Sequence, residues 1–315
     1  MSELQLAIIG FGNMGKIHYK AITKNTFCKV PKIVDINSEI QRGYEDLEFF
    51  QNFDDFISNN IDSLDGAIIS TPSSMHLEHA EPFIKKGIPL LIEKPLTSDN
   101  SSDQKLFSLA KKNNSFIKCG LIELYNPIVQ ELSNKTYQDL KFIHFKRHSP
   151  KTSESRKLEN IILDLTLHDL SIIYKVFNPQ DIKIVGCELN YDNDIAESAQ
   201  ILLKIDNKYS IFLSSSRQDQ EKIRTLEIVD ENIIYHCDLK NKFYETKQNG
   251  KIASFDSKSI TESNILNKID MLNKPETAEL QIQSFVKSIL NKESDLQSLE
   301  IAEKTHKLAY DLLNF

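Results

Sequence analysis

The largely apolar run Leu4–Ile9 stops at Gly10-Phe11-Gly12-Asn13-Met14-Gly15, and amphipathic spacing resumes at once. That order reads as a buried parallel strand, a glycine-rich turn and a helix from near Asn13 to about Thr23. Each glycine has a separate reason to be there. Gly10 permits the tight turn, Gly12 lets the backbone approach a pyrophosphate, and Gly15 lets the helix pack against the strand. The helix N-terminus offers amide protons and a partial positive charge to phosphate oxygens. The alternative is a glycine-rich turn with no ligand. Asp35 ends a second strand-like run, Lys32-Ile33-Val34, about 20 residues on, as a dinucleotide-binding unit requires.

Asp35 would accept hydrogen bonds from ribose hydroxyls and repel a 2′-phosphate, so NAD is expected over NADP. Arg42 is the first arginine after it. The rhythm then continues. Ala67–Thr71 forms a strand stopped by Pro72, followed by helical spacing to Gly87. Leu90-Leu91-Ile92 is the next strand, a helix covers about Ser102–Lys112, and Phe116–Cys119 closes this half. Strands alternating with helices predict a doubly wound parallel sheet over residues 1–120. Residues 121–315 read as an α+β domain with an open, mostly antiparallel sheet. Its expected strands are Phe142–Arg147, Ile182–Leu189, Ala199–Ile205, Tyr209–Ser214, Leu226–Val229 and Ile233–Leu239. A long helix is expected over Leu158–Phe177, and two helices finish the chain.

Composition narrows the function classes. The 315 residues are 40% hydrophobic and 26% charged with a formal net charge of -7, which disfavours a nucleic-acid partner. Cys28, Cys119, Cys187 and Cys237 are scattered, so neither a metal site nor a disulfide framework is expected. The sequence reads without a signal peptide or membrane span, and a cytoplasmic location is expected.

Three further groups carry chemistry. Thr71-Pro72 ends a strand, where ligand crevices form, with His76 and His79 on the next helix; helix covering is the plainer role for both histidines. Glu93-Lys94-Pro95 ends the following strand, where a lysine can stabilise developing alkoxide character or simply face solvent. Asp164 and His168, four residues apart, share one face of a largely apolar helix. They suit proton transfer or form a buried structural pair. The stretch from Arg147 through Lys151 to Arg156 is basic, fit for an anionic substrate group or for plain solvation.

Gly10–Gly15 with His18, Thr71-Pro72 with His76, Glu93-Lys94-Pro95-Leu96, and Asp164 with His168-Asp169 together resemble the Gfo/Idh/MocA oxidoreductases. The resemblance implies NAD(P)-linked oxidation or reduction of sugars, inositols or nucleotide sugars. It also implies a homodimer or homotetramer and a catalytic group of Lys94, Asp164 and His168. Cys119–Pro127 is similar to a segment of UDP-N-acetylglucosamine 3-dehydrogenases, although Leu121 and Leu124 replace His and Arg of that pattern. Asn160, Thr166 and Ser171 also depart from it.

The expected cofactor contacts are Gly10, Gly12, Asn13, Met14, Gly15, Asp35, Thr71, Pro72, His76, Glu93 and Lys94. Asn126, Arg147 and Arg156 are the candidate substrate contacts. A non-catalytic nicotinamide-binding regulator, or an internal-redox epimerase or lyase, are the alternatives on the same fold.

Overall fold

The computed structural model describes residues 3–151, 159–231, 233–248, 265–271, 275–292 and 296–315. The chain forms two compact units. One comprises Met1–Ile122 with Pro275–Lys307, the other Glu123–Lys274 with Leu308–Phe315.

The first unit is a six-stranded parallel sheet. Its elements are β1 (Leu6–Ile9), α1 (Asn13–Thr23), β2 (Lys32–Val34), β3 (Phe49–Phe50), α2 (Phe53–Asn60), β4 (Gly66–Ile69), α3 (His76–Lys86), β5 (Leu90–Ile92), α4 (Asn100–Asn113) and β6 (Ile117–Cys119). The strand order is β3-β2-β1-β4-β5-β6. The order reverses between β1 and β4, and a ligand crevice forms at the carboxyl ends of strands at such a point. β1, β4 and β5 are buried along their whole length, which explains their unbroken apolar runs. The two-residue strand β3 and helix α2 carry too weak a pattern to stand out in the sequence. Asn52 nonetheless caps α2 by accepting the Asp55 amide at 2.9 Å.

Helix α7 (Thr277–Asn291) packs in this unit, although the sequence reading places residues 275–307 with the C-terminal domain. Its Ile282, Phe285 and Val286 join Leu6, Ile8, Ile22 and Leu91 in one core. Gly66 makes room for it, since a Cβ there would stand 2.9 Å from the Ile289 side chain. Phe285 stacks on Phe116 with centroids 6.0 Å apart. Helix α8 (Leu296–Leu313) contributes residues up to Lys307 to the first unit.

The second unit is built on an eight-stranded sheet. It contains α5 (Pro127–Ser133), β7 (Leu140–His148), a π turn at Ile162–Thr166 running into α6 (Leu167–Phe177), β8 (Ile182–Asp192), β9 (Ile195–Ile205), β10 (Tyr209–Ser216), β11 (Ile223–Asp230), β12 (Ile233–Asp238), β13 (Phe243–Gln248) and β14 (Ile265–Asp270). The strand order is β14-β13-β12-β11-β7-β10-β9-β8, antiparallel except for the parallel pair β7 and β10. Strands β7 and β11 alternate buried and partly exposed residues, placing Ile143, Phe145, Leu226 and Ile228 in the core. The β8–β9 hairpin turns at Asn193-Asp194, both with positive φ, as a two-residue turn between twisted strands requires. Strands β13 and β14 are absent from the sequence reading.

Replacing Phe285 with Ala removes a fully buried ring from the first unit's core. The expected loss is about 3–5 kcal/mol, measured as a lowered urea midpoint. An unchanged midpoint would show that α7 contributes little to this core.

Candidate functional site

In the first unit, the glycine turn has the geometry its spacing predicts. Gly10 has φ of +91°, and a Cβ on it would lie 2.7 Å from the backbone of Ser70 and Thr71. A Cβ on Gly15 would lie 2.2 Å from the Gly10 carbonyl oxygen. Both positions therefore need glycine for the fold itself. Gly12 differs, because the space where its Cβ would stand has no protein atom within 4 Å. Helix α1 begins there with no side-chain cap, leaving the first-turn amides to an incoming anion. Gly12 and Asn13 are exposed and Met14 is partly exposed. The Asp35 carboxylate accepts the Phe11 amide at 2.6 Å and the Asn37 amide at 2.8 Å, which ties the turn to the end of β2. These residues fit a dinucleotide: an open cradle at Gly12, free amides behind it and a fixed carboxylate at the neighbouring strand end.

The loops after β4 and β5 are held by buried polar struts. His18 on α1 contacts Glu93 Oε1 at 2.7 Å, and both side chains are buried. Glu93 Oε2 accepts the Lys94 amide at 3.3 Å. Gly120 lies so close that a Cβ there would stand 2.8 Å from Glu93 Cα. The Glu93 carboxylate, expected at the cofactor, thus joins α1 to the Lys94 loop. His76 requires a similar correction. Its Nε2 faces the Thr71 carbonyl at 2.7 Å, and its Nδ1 faces the carbonyls of Pro95 and Leu96 at 3.0 and 3.2 Å. With both ring nitrogens on backbone oxygens, His76 pins the β4 and β5 loops together and keeps no nitrogen for a cofactor. Burial pushes its pKa down. Thr71 Oγ1 contacts His79 Nδ1 at 3.0 Å, and Pro72 is exposed. Lys94, 7% exposed, stands two residues past the carboxyl end of β5 and is joined to Pro95 by a cis peptide.

In the second unit, the expected helix over 158–177 is not uniform. Residues 152–158 lie outside the described residues. From Ile162 to Thr166 the backbone makes a π turn, in which the Leu167 amide reaches back to the Ile162 carbonyl. Single π turns inside helices occur frequently at functional sites. Asp164 lies within this turn and His168 just beyond it, on regular α6. Arg217, unmarked by any sequence pattern, holds Asp164: its Nε and Nη2 donate to Oδ2 at 3.1 and 3.0 Å. The same Nη2 donates to the Glu159 carbonyl at 2.6 Å. Thr166 Oγ1 donates to Ser215 Oγ on β10 at 2.8 Å, and Ser171 Oγ donates to the His168 carbonyl at 2.6 Å. His168 is buried to 8% exposure on a fixed backbone.

Two candidate substrate contacts are corrected. Arg147 is 1% exposed. Its Nε donates to Asp169 at 2.8 Å and its Nη1 to Glu123 at 3.0 Å, so its charge is spent inside the unit. Alternation along β7 turns position 147 inward, which a basic stretch read as a loop does not reveal. Arg224 adds a second donor to Glu123 at 3.1 Å. Burial opposes the Glu123 charge, but Arg147 and Arg224 outweigh it and hold the pKa below the usual range. Asn126 caps α5 by accepting the Ile128 amide and donates to Glu123 and to the Leu239 carbonyl, which uses its whole amide. Arg156 lies outside the described residues. Among the described residues, no group of three or more His, Cys, Asp or Glu side chains could hold a metal ion. No helix among them is long and apolar enough to cross a membrane.

Two expected outcomes follow from these geometries. Gly12→Ala should leave the thermal midpoint nearly unchanged and weaken dinucleotide binding about tenfold or more, because the added methyl fills only the cradle. Gly15→Ala should lower the midpoint itself. Equal dinucleotide affinity in Gly12→Ala and the parent would remove the cradle assignment. Arg147→Met should cost about 3–5 kcal/mol by leaving two buried carboxylates without their shared cation. A variant of parental stability with a raised KM would instead restore Arg147 to substrate binding.

Residues 4–120 match a family model described as an oxidoreductase family with an NAD-binding Rossmann fold. The chain is similar to the UDP-N-acetylglucosamine 3-dehydrogenase of Acidithiobacillus ferrooxidans, with 26% identity over 236 residues, 72% of each chain. It is also similar to inositol 2-dehydrogenase 1 of Paenarthrobacter aurescens, with 26% identity over 62% of this chain and 60% of that protein. Among solved structures, the Acidithiobacillus ferrooxidans enzyme superimposes with a TM-score of 0.79 at 20% identity, covering 99% of this chain and 97% of that one. A 3-ketoreductase from Actinomadura kijaniata, solved with NADP and TDP-benzene, superimposes with a TM-score of 0.80 at 13% identity, covering 98% and 96%. At these identities the structural likeness establishes the fold. Over residues 4–120, the chain is similar to the NAD-binding Rossmann part of the Gfo/Idh/MocA oxidoreductases.

Proposed function

We propose that this protein transfers a hydride between a CH–OH carbon of a sugar or nucleotide sugar and a nicotinamide, with NAD preferred to NADP. The observation that carries the proposal is the open cradle at Gly12, beside turn glycines that the fold itself requires. Asp35 at the end of β2 supports NAD, since a carboxylate fixed by two amides repels a 2′-phosphate. The names of the relatives in Acidithiobacillus ferrooxidans and Paenarthrobacter aurescens support a polyhydroxylated substrate. The four unpaired cysteines fit a reducing cytoplasm, and the family resemblance supports a homo-oligomer.

When bound, the nicotinamide supplies the hydride acceptor. His168 takes the hydroxyl proton onto its imidazole, so the alcohol loses one proton and one hydride and becomes a carbonyl. In the first unit, the Lys94 ammonium suits a hydrogen bond to an alcohol oxygen and would stabilise its growing negative charge. Asp164, fixed by Arg217, balances the positive charge that His168 acquires. Removing a side chain that handles this proton costs rate and leaves cofactor binding in place.

With NAD and UDP-N-acetylglucosamine, and with myo-inositol, free hexoses and NADP as comparators, reduced cofactor should accumulate at 340 nm. Lys94→Met and His168→Asn should each lower turnover by about 10²–10⁴-fold, with NAD affinity within about threefold of the parent. Near-parental turnover in both variants would sink the assignment. Cofactor binding without turnover of any substrate would favour the non-catalytic regulator.

A further inference from the structure

Lys94 is followed by Pro95, which has no amide proton. The first backbone donor beyond Lys94 therefore belongs to Leu96, a fully buried residue. That amide donates to His306 Nε2 at 3.0 Å, across 210 residues of sequence. His306 lies on α8, within the part that belongs to the first unit, and is itself buried. Its other nitrogen, Nδ1, faces the Ala302 carbonyl at 2.8 Å. The two partners demand opposite roles, so the ring carries its proton on Nδ1 and its lone pair on Nε2. A protonated ring would set one N–H against another. Burial pushes the His306 pKa down to about 4, the Ala302 hydrogen bond opposes that, and the Lys94 charge adds to it.

The rest of the segment is held from other directions. His76 contacts the Pro95 and Leu96 carbonyls, and Thr97 Oγ1 donates to Asp103 Oδ1 at 2.7 Å. The Leu96 amide is the group that reaches α8 through His306. An amide buried without a partner is destabilising, so a segment lacking this acceptor would shift to find another. The shift would be felt two residues away, at the side chain whose ammonium must meet a reacting oxygen.

We propose that His306 is a positioning residue for Lys94: by accepting the Leu96 amide, it fixes the Lys94-Pro95-Leu96 segment and lets α8 set where the Lys94 ammonium stands. The inference rests on the catalytic reading of Lys94 for its kinetic consequence, but not for its structural one.

The test compares His306→Gln with His306→Asn. A glutamine oxygen reaches where Nε2 stands and still accepts the amide; an asparagine oxygen reaches only where Nδ1 stands. Three quantities are read: turnover with NAD and UDP-N-acetylglucosamine, NAD affinity, and the pH dependence of Lys94 acetylation by acetic anhydride in the cofactor-free protein, followed by peptide mass spectrometry. The Asn variant should lose about 10–100-fold in kcat, keep its NAD affinity within about threefold, and show a displaced Lys94 acetylation profile. The Gln variant should stay within about threefold of the parent in kcat with an undisplaced profile. A folded Asn variant with parental kcat and profile overturns the proposal. So does an equal loss in both variants with the Lys94 profile unmoved, which marks a merely structural histidine. If Lys94→Met keeps parental turnover, the catalytic reading fails, and the acetylation profile alone still decides whether His306 positions Lys94. Should the Asn variant not fold, nitrogen-15 NMR of histidine-labelled parental protein decides. His306 must show the Nδ1–H form, unprotonated at pH 6, with Nε2 coupled to the Leu96 amide; a protonated ring or an uncoupled amide overturns the proposal.

Discussion

The near-contact of α1 with β1 and β4 is the constraint on which the first unit depends. Residues 10 and 15 come within the space that one methyl group would need. Their lack of Cβ brings the helix N-terminus onto the end of the sheet, at the point where the strand order reverses. Ser70 reinforces the join by donating to the Gly10 carbonyl at 2.7 Å, and Asp35 does so from the other side through the Phe11 amide. Two free-energy terms are separated here. Gly10 and Gly15 serve the fold, and Gly12 serves whatever approaches it.

Away from the apolar core, this unit is organised by buried histidines. His18, His76 and His306 each join segments distant in sequence: α1 to the Glu93 loop, the β4 loop to the β5 loop, and α8 to Leu96. His306 shows how a neutral ring serves such a place, with Nδ1 donating to the Ala302 carbonyl and Nε2 accepting the Leu96 amide in fixed directions. Buried polar contacts of this kind specify one arrangement of loops, where apolar packing alone tolerates several. The loop that carries Lys94 is therefore among the most constrained segments of the unit, although it contains no regular secondary structure.

The second unit solves a related problem with charge. Glu123, Arg147 and Asp169 are buried together, with Arg224 at their edge. This network fixes the residue next to His168 on α6. Arg217 does the same for Asp164 inside the π turn. Both cations come from the sheet, from β7 and from the end of β10, so the sheet carries the polar face of the helix.

The sequence by itself determined the glycine turn and the parallel strands around it, because each is written in a short run of residues whose spacing has a direct physical meaning; it marked Asp35, Lys94 and the Asp164–His168 pair as candidates and left their roles open. Most strands of the second unit were legible from alternation for the same reason. Tertiary structure alone decided what a charged or polar side chain does. Arg147, Asn126, His76 and Glu93 have the chemistry of ligand contacts, yet they spend it on protein partners, because strand alternation and loop approach turn them inward. Arg217 and His306 carry no local signal, since their partners lie 53 and 210 residues away. The placement of α7 with the first unit was equally invisible. An amphipathic helix declares that it has an apolar face; only the fold supplies the surface that the face covers.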